Sequence, residues 1–434
     1  MHVRVVSLLT TLLVSAGLLV VPMSGSANAA PQKRCEVPSA GAPFASAKPA
    51  EVAMDPVAVR RALAYAQTHL RSSVKILRNN CQIGQGLLDP VTENLPMELF
   101  SSTKSVISLL TGIAYDHGKL KLDDPIGKYL PKGLGDAAHR RITIRNLLTE
   151  TSGLEESILS EFATVLLDPD ITQQAMALRL THPPGTHFEY SQRTPDLLAY
   201  VVQRAVGQDI QAYAQKMLFG PIGIPAKSYF WLRDQSGHTY GYANLFMPTK
   251  HFAKLGLLAQ NDGLWRGNRV VSSRYLQLAS TPTKTNGCYG FLFWVNGGTF
   301  CTSANIPNAQ TVEGEAVASA PDDMYMMVGA LQQNNFIIPS LGITVTWTGV
   351  LGDTSLNLAG LLSASAAGSD LYYNFFRILM AGVKDVKVPD PGPFKTPPLD
   401  LDVNPMNYFS PSVLLKGLFP NSTCNVVYCK PPAG

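Results

Sequence analysis

The stretch that decides the fold of this chain lies near residue 100 and reads Phe100-Ser101-Ser102-Thr103-Lys104-Ser105-Val106. An apolar run over residues 106–115 follows it and predicts a buried helix. Ser101 and Lys104 are three residues apart, so at the first turn of that helix the amine can reach the hydroxyl. The helix start also offers backbone N–H groups that can stabilise an oxyanion.

A serine hydroxyl becomes a good nucleophile only when a base removes its proton. Lysine can be that base in its neutral form, and burial among apolar side chains lowers its pKa towards that form. The sequence therefore predicts Ser101 as a nucleophile and Lys104 as its base. The alternative is an ordinary capped helix start.

The same Ser-x-x-Lys spacing also occurs at Ser72 and Lys75. This second pair lies in an alternating stretch, residues 73–77, which predicts a strand. Residues three apart on a strand point to opposite faces, so the two side chains are not expected to meet. We therefore keep Ser101 and Lys104 as the candidate pair.

Residues 1–29 have the pattern of a secretory signal peptide. Arg4 precedes an apolar run over residues 5–21, and Ala27-Asn28-Ala29 is typical of a cleavage site. No second run approaches the roughly 20 apolar residues that a membrane span needs. The sequence thus predicts a secreted protein, periplasmic or extracellular, with no stable membrane span.

All six cysteines follow the predicted cleavage site, and an even number in an exported chain predicts disulfides. Proximity along the chain favours the pairs Cys424–Cys429, Cys288–Cys301 and Cys35–Cys81, one of many connectivities open to six cysteines. A zinc site is the alternative, but neither a Cys-x-x-Cys spacing nor paired histidines support it.

Charge and the remaining motifs narrow the classes of function. The formal net charge is +4 and there is no basic tract, so nucleic acid is not a predicted partner. The sequence has no G-x-S-x-G and no H-E-x-x-H motif, and we predict neither a metal nor a cofactor. His182 and His187 are interpreted as surface residues, and Glu155 and Glu156 as a solvated acidic turn.

The order of predicted elements indicates an α+β fold. Residues 73–88 predict two strands, residues from about 118 to 282 predict a mostly helical region, and residues after Thr283 predict strands again. The late strands and the last helix are predicted at residues 289–295, 324–328, 335–338, 343–347 and 370–382. Strands from both ends would form one antiparallel sheet flanked by helices, with the helical region inserted between its halves. Ser101 would then lie at the seam, where pockets commonly form.

The predicted organisation has a leader, one large domain and a tail. Residues 30–50 are rich in Ala, Pro and Ser and predict a linker. The large domain is predicted to span residues 51–387. Residues 388–434 predict a peripheral tail, because repeated prolines forbid regular structure there.

Several spaced motifs occur in the order typical of a known family. They are Ser101-Ser102-Thr103-Lys104, Gly118-Lys119-Leu120, Asp124-Pro125, Tyr129-Leu130-Pro131, Leu147-Leu148-Thr149-Glu150-Thr151-Ser152-Gly153-Leu154, Pro184-Gly185, Tyr190-Ser191-Gln192, Tyr289-Gly290 and Phe293-Trp294. With them the chain resembles the serine β-lactamase-related hydrolases, which include class C β-lactamases, D,D-peptidases, esterases and 6-aminohexanoate-dimer hydrolase. The resemblance covers about residues 50–380 and implies a β-lactamase/transpeptidase-like fold.

The resemblance implies roles for matching residues. Ser101 would be the acylated nucleophile, Lys104 would accept or orient its proton, and Tyr190 would act with Lys104 as general base and later as acid. An ordinary phenol is protonated at neutral pH, so this role needs a nearby cation, for which Lys104 is the candidate. A core tyrosine with its hydroxyl on a backbone carbonyl is the alternative for Tyr190.

Two departures from the family pattern bear on the substrate. Gln192 stands where the second motif usually ends in Asn, and its amide is predicted to contact a substrate carbonyl. The third motif, normally Lys-Thr-Gly or His-x-Gly, matches residues 329–333. There Ala330 replaces the Lys or His that helps to bind a substrate carboxylate, and Gln332, a second predicted substrate contact, replaces Gly.

These departures favour a secreted serine hydrolase that acts through an acyl-enzyme on small ester or amide substrates. The implied partner is a small-molecule acyl substrate. Two alternatives remain open, namely D,D-carboxypeptidase or β-lactamase activity on cell-wall-like substrates, and a weak or inactive binding protein on the same fold.

Overall fold

The central sheet joins strands from the two ends of the folded region. A computed structural model describes residues 32–155, 168–304, 309, 311–349 and 369–395. Its strands are β1 (Arg71–Arg78), β2 (Cys81–Gln85), β3 (Pro96–Glu98), β4 (Phe230–Trp231), β5 (Leu245–Pro248), β6 (Leu264–Trp265), β7 (Asn268–Arg269), β8 (Trp294–Val295), β9 (Phe300–Thr302), β10 (Thr311–Glu313), β11 (Tyr325–Gly329), β12 (Gln333–Ile338) and β13 (Ile343–Gly349).

Helices cover this sheet and fill the region between its halves. They are α1 (Pro56–Thr68), α2 (Asp89–Thr92), α3 (Ser102–Asp116), α4 (Ile144–Leu148), α5 (Ile171–Ala177), α6 (Arg193–Val206), α7 (Ile210–Ala214), α8 (Thr249–Gln260), α9 (Ser273–Ala279) and α10 (Asp370–Met380). The central sheet has the order β2-β1-β13-β12-β11-β8, with antiparallel pairing throughout. The predicted α+β fold, with its antiparallel sheet and flanking helices, is confirmed.

Neighbouring residues of β12 show that the two faces of the sheet carry different helices. Asn334 hydrogen bonds with the hydroxyl of Tyr372 in α10 (2.5 Å), whereas the Asn335 amide donates to the carbonyl of Phe252 in α8 (2.8 Å). Successive side chains of a strand point to opposite faces, so α8 and α10 lie on opposite sides of the sheet. The helix α3 packs against β11 and β12, which places its start beside the end of β11.

Two parts of the fold differ from the sequence prediction. The region predicted as mostly helical contributes β4 and β5 to a small antiparallel sheet, ordered β3-β5-β4, whose strand β3 precedes that region. The strand predicted at residues 289–295 is wrong for most of its length, because only Trp294–Val295 is a strand. Leu292 has a positive φ of 56°, and its N–H donates to the carbonyl of Leu148 while its carbonyl accepts from the Ser105 hydroxyl. The backbone here supports α3 instead of extending the sheet.

The segment before α1 is attached to the hairpin of β1 and β2. The backbone of Gln82 exchanges hydrogen bonds with Ala45 and Ala47, and Cys35 forms a disulfide with Cys81. Residues 33–50, within the predicted linker, are therefore held against the sheet.

Two of the three predicted disulfides, Cys35–Cys81 and Cys288–Cys301, are present, which removes the zinc alternative for these four cysteines. The Cys424–Cys429 pair and the signal peptide over residues 1–29 lie outside the described residues. Of the predicted tail, residues 388–395 are described and have no helix or strand. Among the helices that the structure describes, none is long and apolar enough to cross a membrane.

A histidine supports the start of α5. Asp170 caps this helix, Asp234 accepts a hydrogen bond from the Ile171 N–H, and His238 lies within 3.4 Å of Asp170 and 3.2 Å of Asp234. Burial alone would lower the pKa of His238, but the two carboxylates outweigh it and raise the pKa from 6.5 to about 9. His238 is thus a cation in the folded protein at neutral pH.

We expect this histidine to make stability fall in weakly basic solution. Because the folded pKa is raised, the stabilisation is complete below pH 6.5 and is lost as the pH rises through about 9. The free energy of unfolding should drop by roughly 1–3 kcal/mol between pH 6 and pH 9.5 from this group. Urea unfolding at both pH values should show that the drop shrinks in His238→Gln. An equal drop in both proteins would contradict the assignment.

Candidate active site

The candidate nucleophile lies immediately before α3. Ser101 has helical backbone angles, and its carbonyl accepts the Lys104 N–H at 3.0 Å, which fixes both residues on the first turn as the spacing predicts. The preceding Phe100 has a positive φ of 46°, an uncommon conformation for a bulky side chain. Such conformations cluster at functional sites, where the surrounding structure enforces them. Ser101 is 8% exposed, so its hydroxyl lies at the edge of the core.

Lys104 is held by groups from two distant parts of the chain, the loop after α4 and the segment before α6. Its Nζ donates to the backbone carbonyl of Ser191, to Oε1 of Gln192 at 2.8 Å, and to Oε1 of Glu150 at 3.4 Å. The ammonium also lies 3.8 Å from the centroid of the Tyr190 ring. Lys104 is 1% exposed, so these contacts replace water entirely.

Tyr190 completes the cluster. Its ring packs near Tyr289 and Trp294, with centroids 6.1 and 5.9 Å away. Burial raises the pKa of the Tyr190 phenol above its ordinary value, although Lys104 and Ser101 act in the opposite direction. The phenol is therefore protonated at neutral pH, and the expectation that Lys104 would favour its phenolate form is not met in this resting arrangement.

A buried ion-pair network holds the Tyr190-Ser191-Gln192 segment at the start of α6. The guanidinium of Arg193 donates to Asp168 at 2.8 Å and to Asp196 at 2.6 Å. Burial raises the pKa of Asp196 to about 6 despite the adjacent Arg193. Oδ1 of Asp196 also accepts from the backbone N–H groups of Gly241 and Tyr242. This network fixes α6 and with it the segment that carries Tyr190.

Glu150 is the residue that sequence reasoning missed. Its side chain is fully buried and its backbone has a positive φ of 52°. Its carbonyl accepts the N–H of Glu189, which ties the loop after α4 to the residue before Tyr190. The residue lies inside a motif used for the family resemblance, but nothing in the local pattern indicates that its carboxylate meets Lys104.

The two predicted substrate contacts differ in their surroundings. Gln192 uses its amide oxygen on Lys104, a contact that the sequence did not indicate. Gln332 lies after the end of β11, and its Oε1 is buried without a hydrogen-bond partner among the described residues. Gln332 has a positive φ of 59°, and its carbonyl accepts from Arg71 at 2.9 Å. Binding of substrate by Gln192 and Gln332 stays a prediction.

The segment that matches the third motif lies against the start of α3. The Ser102 hydroxyl donates to the carbonyl of Gln333 at 2.7 Å. A Cβ on Gly329 would lie 2.2 Å from the Leu99 carbonyl, so only glycine permits this close approach of the two backbones. These contacts hold the segment that carries Ala330 and Gln332 against residues that flank Ser101.

Other candidates have structural roles. Lys75, part of the discarded Ser-x-x-Lys match, pairs with Asp89 at 3.1 Å and with Glu93 at 2.5 Å inside the fold. Glu155 is buried and pairs with Arg179 at 2.8 Å, so the prediction of a solvated turn is wrong for it, and Glu156 lies outside the described residues.

The histidine pair beside the site does not form a converging set of ligands. His182 is partly exposed and His187 is exposed, as predicted for surface residues. Their rings stack at 4.1 Å with planes only 20° apart. Because the lone pairs of parallel rings do not converge on one point, this arrangement does not hold a metal, although donor atoms of both and of Glu189 lie within 4.8 Å of one another.

Fold and site together define a β-lactamase/transpeptidase-like protein. A profile of the family described as Beta-lactamase matches residues 73–346, most of the described region. The chain belongs to this family.

Known proteins similar to this chain are consistent with its membership of the Beta-lactamase family. "Protein flp" from Staphylococcus aureus (strain N315) is 31% identical over 146 residues, which cover 32% of this chain and 29% of flp. Esterase EstB from Burkholderia gladioli is 32% identical over 162 residues, 32% of this chain and 41% of EstB. The matches thus span less than half of either relative. A solved structure from Bacillus anthracis, assigned as a 6-aminohexanoate-dimer hydrolase, has a TM-score of 0.58 at 14% identity and covers 80% of this chain and 88% of that one.

At this identity the solved structure supports the fold alone. The family and the esterase relative indicate a hydrolase.

Proposed function

We propose that this protein is a secreted serine hydrolase that forms an acyl-enzyme on Ser101 with small, uncharged ester or amide substrates. The observation that carries the proposal is the meeting of Ser101, Lys104 and Tyr190 at one buried seam. Two of these residues start one helix, and the third precedes another, so rigid elements fix their geometry.

The proposed reaction has two halves. In the first, the Ser101 oxygen attacks the substrate carbonyl while its proton passes towards Lys104, with Tyr190 beside both groups. The Ser101 N–H is the proposed oxyanion donor, because the N–H groups of Ser102, Thr103 and Lys104 already donate to the carbonyls of Leu99, Phe100 and Ser101. The leaving group departs with a proton from Tyr190 or Lys104. In the second half, water attacks the acyl carbon while the same groups take its proton. The bond from the acyl carbon to the Ser101 oxygen then breaks, the proton passes to that oxygen, and the acid is released.

The substrate class follows from the third motif. Ala330 provides neither a cation nor an imidazole, so the segment does not offer the usual partner for a substrate carboxylate. The buried oxygen of Gln332 is an acceptor suited to a substrate N–H. Esterase EstB, by its name, acts on esters, and its similarity to this chain supports an ester substrate.

Export is supported by the disulfides. Cys35–Cys81 and Cys288–Cys301 are expected to form and persist in an oxidising compartment and not in the reducing cytosol. Together with the pattern of residues 1–29, this supports secretion to the periplasm or the medium.

Covalent labelling tests the proposal directly. We expect one adduct per chain when the protein reacts with a fluorophosphonate or with p-nitrophenyl butyrate, as measured by intact mass. Ser101→Ala should form none. Ser72→Ala is the matched control, because Ser72 belongs to the discarded motif and its hydroxyl bonds only to the Thr348 carbonyl at 3.2 Å; it should label like the wild type.

The same experiment separates the alternatives. A binding protein without catalytic activity would form no adduct with either reagent, and labelling that persists in Ser101→Ala would contradict the assignment. Acylation by benzylpenicillin that is faster than acylation by the neutral ester would favour the β-lactamase or D,D-carboxypeptidase alternative.

A further inference from the structure

We infer that Glu150 is a positioning residue that takes up the proton of Lys104 and so makes the amine a base in the buried site. This inference rests on the proposed function. The carboxylate lies within ion-pair distance of Lys104, with Oε1 3.4 Å from Nζ. Lys104 and Glu150 are 1% and 0% exposed, so neither exchanges its partner for water in this state.

The loop geometry holds the carboxylate in place. Glu150 follows α4 with a positive φ, and its N–H donates to the Leu147 carbonyl at 3.4 Å. Its own carbonyl accepts from Glu189, next to Tyr190. A glutamate at a position whose backbone conformation favours glycine or asparagine indicates a constraint from the side chain.

An ammonium that is paired with a carboxylate cannot accept a proton from Ser101. If the proton moves from Nζ to Oε1 of Glu150, the pair becomes a neutral amine and a neutral carboxylic acid. In a buried site the charged and neutral forms of such a pair differ less in free energy than in water, because burial penalises both charges. The neutral amine then accepts the Ser101 proton as the Ser101 oxygen forms its bond to the acyl carbon.

The proton balance of the cycle is closed. After Ser101 attacks, the ammonium of Lys104 is restored and Glu150 still carries its proton. The leaving group receives a proton from the ammonium, directly or through the Tyr190 hydroxyl, and the pair again holds one proton in total. No proton is exchanged with solvent before the acyl-enzyme forms.

The other titratable groups that face the pair do not replace Glu150. These are Tyr190 and Tyr289, and burial raises the pKa of both phenols, so each is neutral at the pH where the reaction is expected. The negative charge of Glu150 further raises the pKa of both phenols. Glu155, in the same loop, is engaged with Arg179 instead.

The test is the pH dependence of acylation in Glu150→Gln. In the wild type one proton stays within the pair, so kcat/KM for p-nitrophenyl butyrate should change less than about threefold between pH 6 and pH 8.5. In Glu150→Gln the lysine must lose its proton to solvent, so kcat/KM should fall about tenfold for each pH unit below the pKa of Lys104. The variant should also keep its single adduct at high pH.

Controls distinguish this role from a structural one. Glu155→Gln also removes a buried carboxylate and should keep the wild-type profile. A Glu150→Gln profile that is lowered uniformly, with no acid limb between pH 6 and pH 8.5, would overturn the inference. If Glu150→Gln does not fold, the wild-type profile alone decides. A steep fall in the wild-type kcat/KM as the pH is lowered from 8.5 to 6 would then overturn the inference. Absence of any adduct in the wild type would instead overturn the proposed function.

Discussion

Replacing Tyr190 by Phe is expected to lower kcat/KM for ester hydrolysis by about 100- to 10,000-fold, the usual contribution of a positioned acid or base. The change removes only the hydroxyl. The ring keeps its packing against Tyr289 and Trp294 and its contact with the Lys104 ammonium. The loss should therefore appear in the rate and not in the thermal midpoint of unfolding.

The matched control is Tyr289→Phe. Tyr289 is a second buried phenol in the same aromatic group, with its ring 5.0 Å from Trp294. Removal of the Tyr289 hydroxyl tests whether loss of any buried hydroxyl near Tyr190 lowers the rate in the same way. Rates within a few-fold of wild type for Tyr289→Phe, together with the large loss for Tyr190→Phe, would assign the chemistry to Tyr190. Equal losses, or a fully active Tyr190→Phe, would show that the phenol has no part in proton transfer.

The sequence predicted those features that local periodicity determines. The alternation in residues 73–77 and the apolar runs near residues 326 and 345 predict strands, and the structure has β1, β11 and β13 there. Ser101 and Lys104 share a helical turn, so their proximity follows from spacing alone. Pairing of the first strand with the last follows from the need to bury both.

The features that the sequence did not predict depend on contacts between residues far apart along the chain. Glu150 lies 46 residues from Lys104 along the chain, and Gln192 lies 88 residues away. No periodicity relates such positions, so the sequence does not predict that the Glu150 carboxylate and the Gln192 amide both contact Lys104. The same applies to Leu292, where hydrogen bonds with α4 and α3 override a strand-like pattern.

Replacing Arg193 by Met is expected to lower the free energy of unfolding by about 3–5 kcal/mol, since it leaves two buried carboxylates without their cation. Asp168 and Asp196 are both at 0% exposure, and each lies within 2.8 Å of the guanidinium. Because the network fixes the start of α6, activity should fall as well, through displacement of the segment that carries Tyr190. Urea unfolding at pH 7.5 measures the stability, and ester hydrolysis measures the activity.

The control is Arg204→Met on the same helix. Arg204 is exposed, and its hydrogen bond to the Tyr129 carbonyl is long at 3.4 Å, so loss of its side chain should change the free energy of unfolding by less than about 0.5 kcal/mol. The deficit of Arg193→Met should also shrink as the pH is lowered towards 5, because protonation removes the unpaired buried charges. If the loss in free energy of unfolding of Arg193→Met does not depend on pH, its cause is lost packing of the arginine stem and not uncompensated charge. The ion pairs would then not be what holds Tyr190 in place.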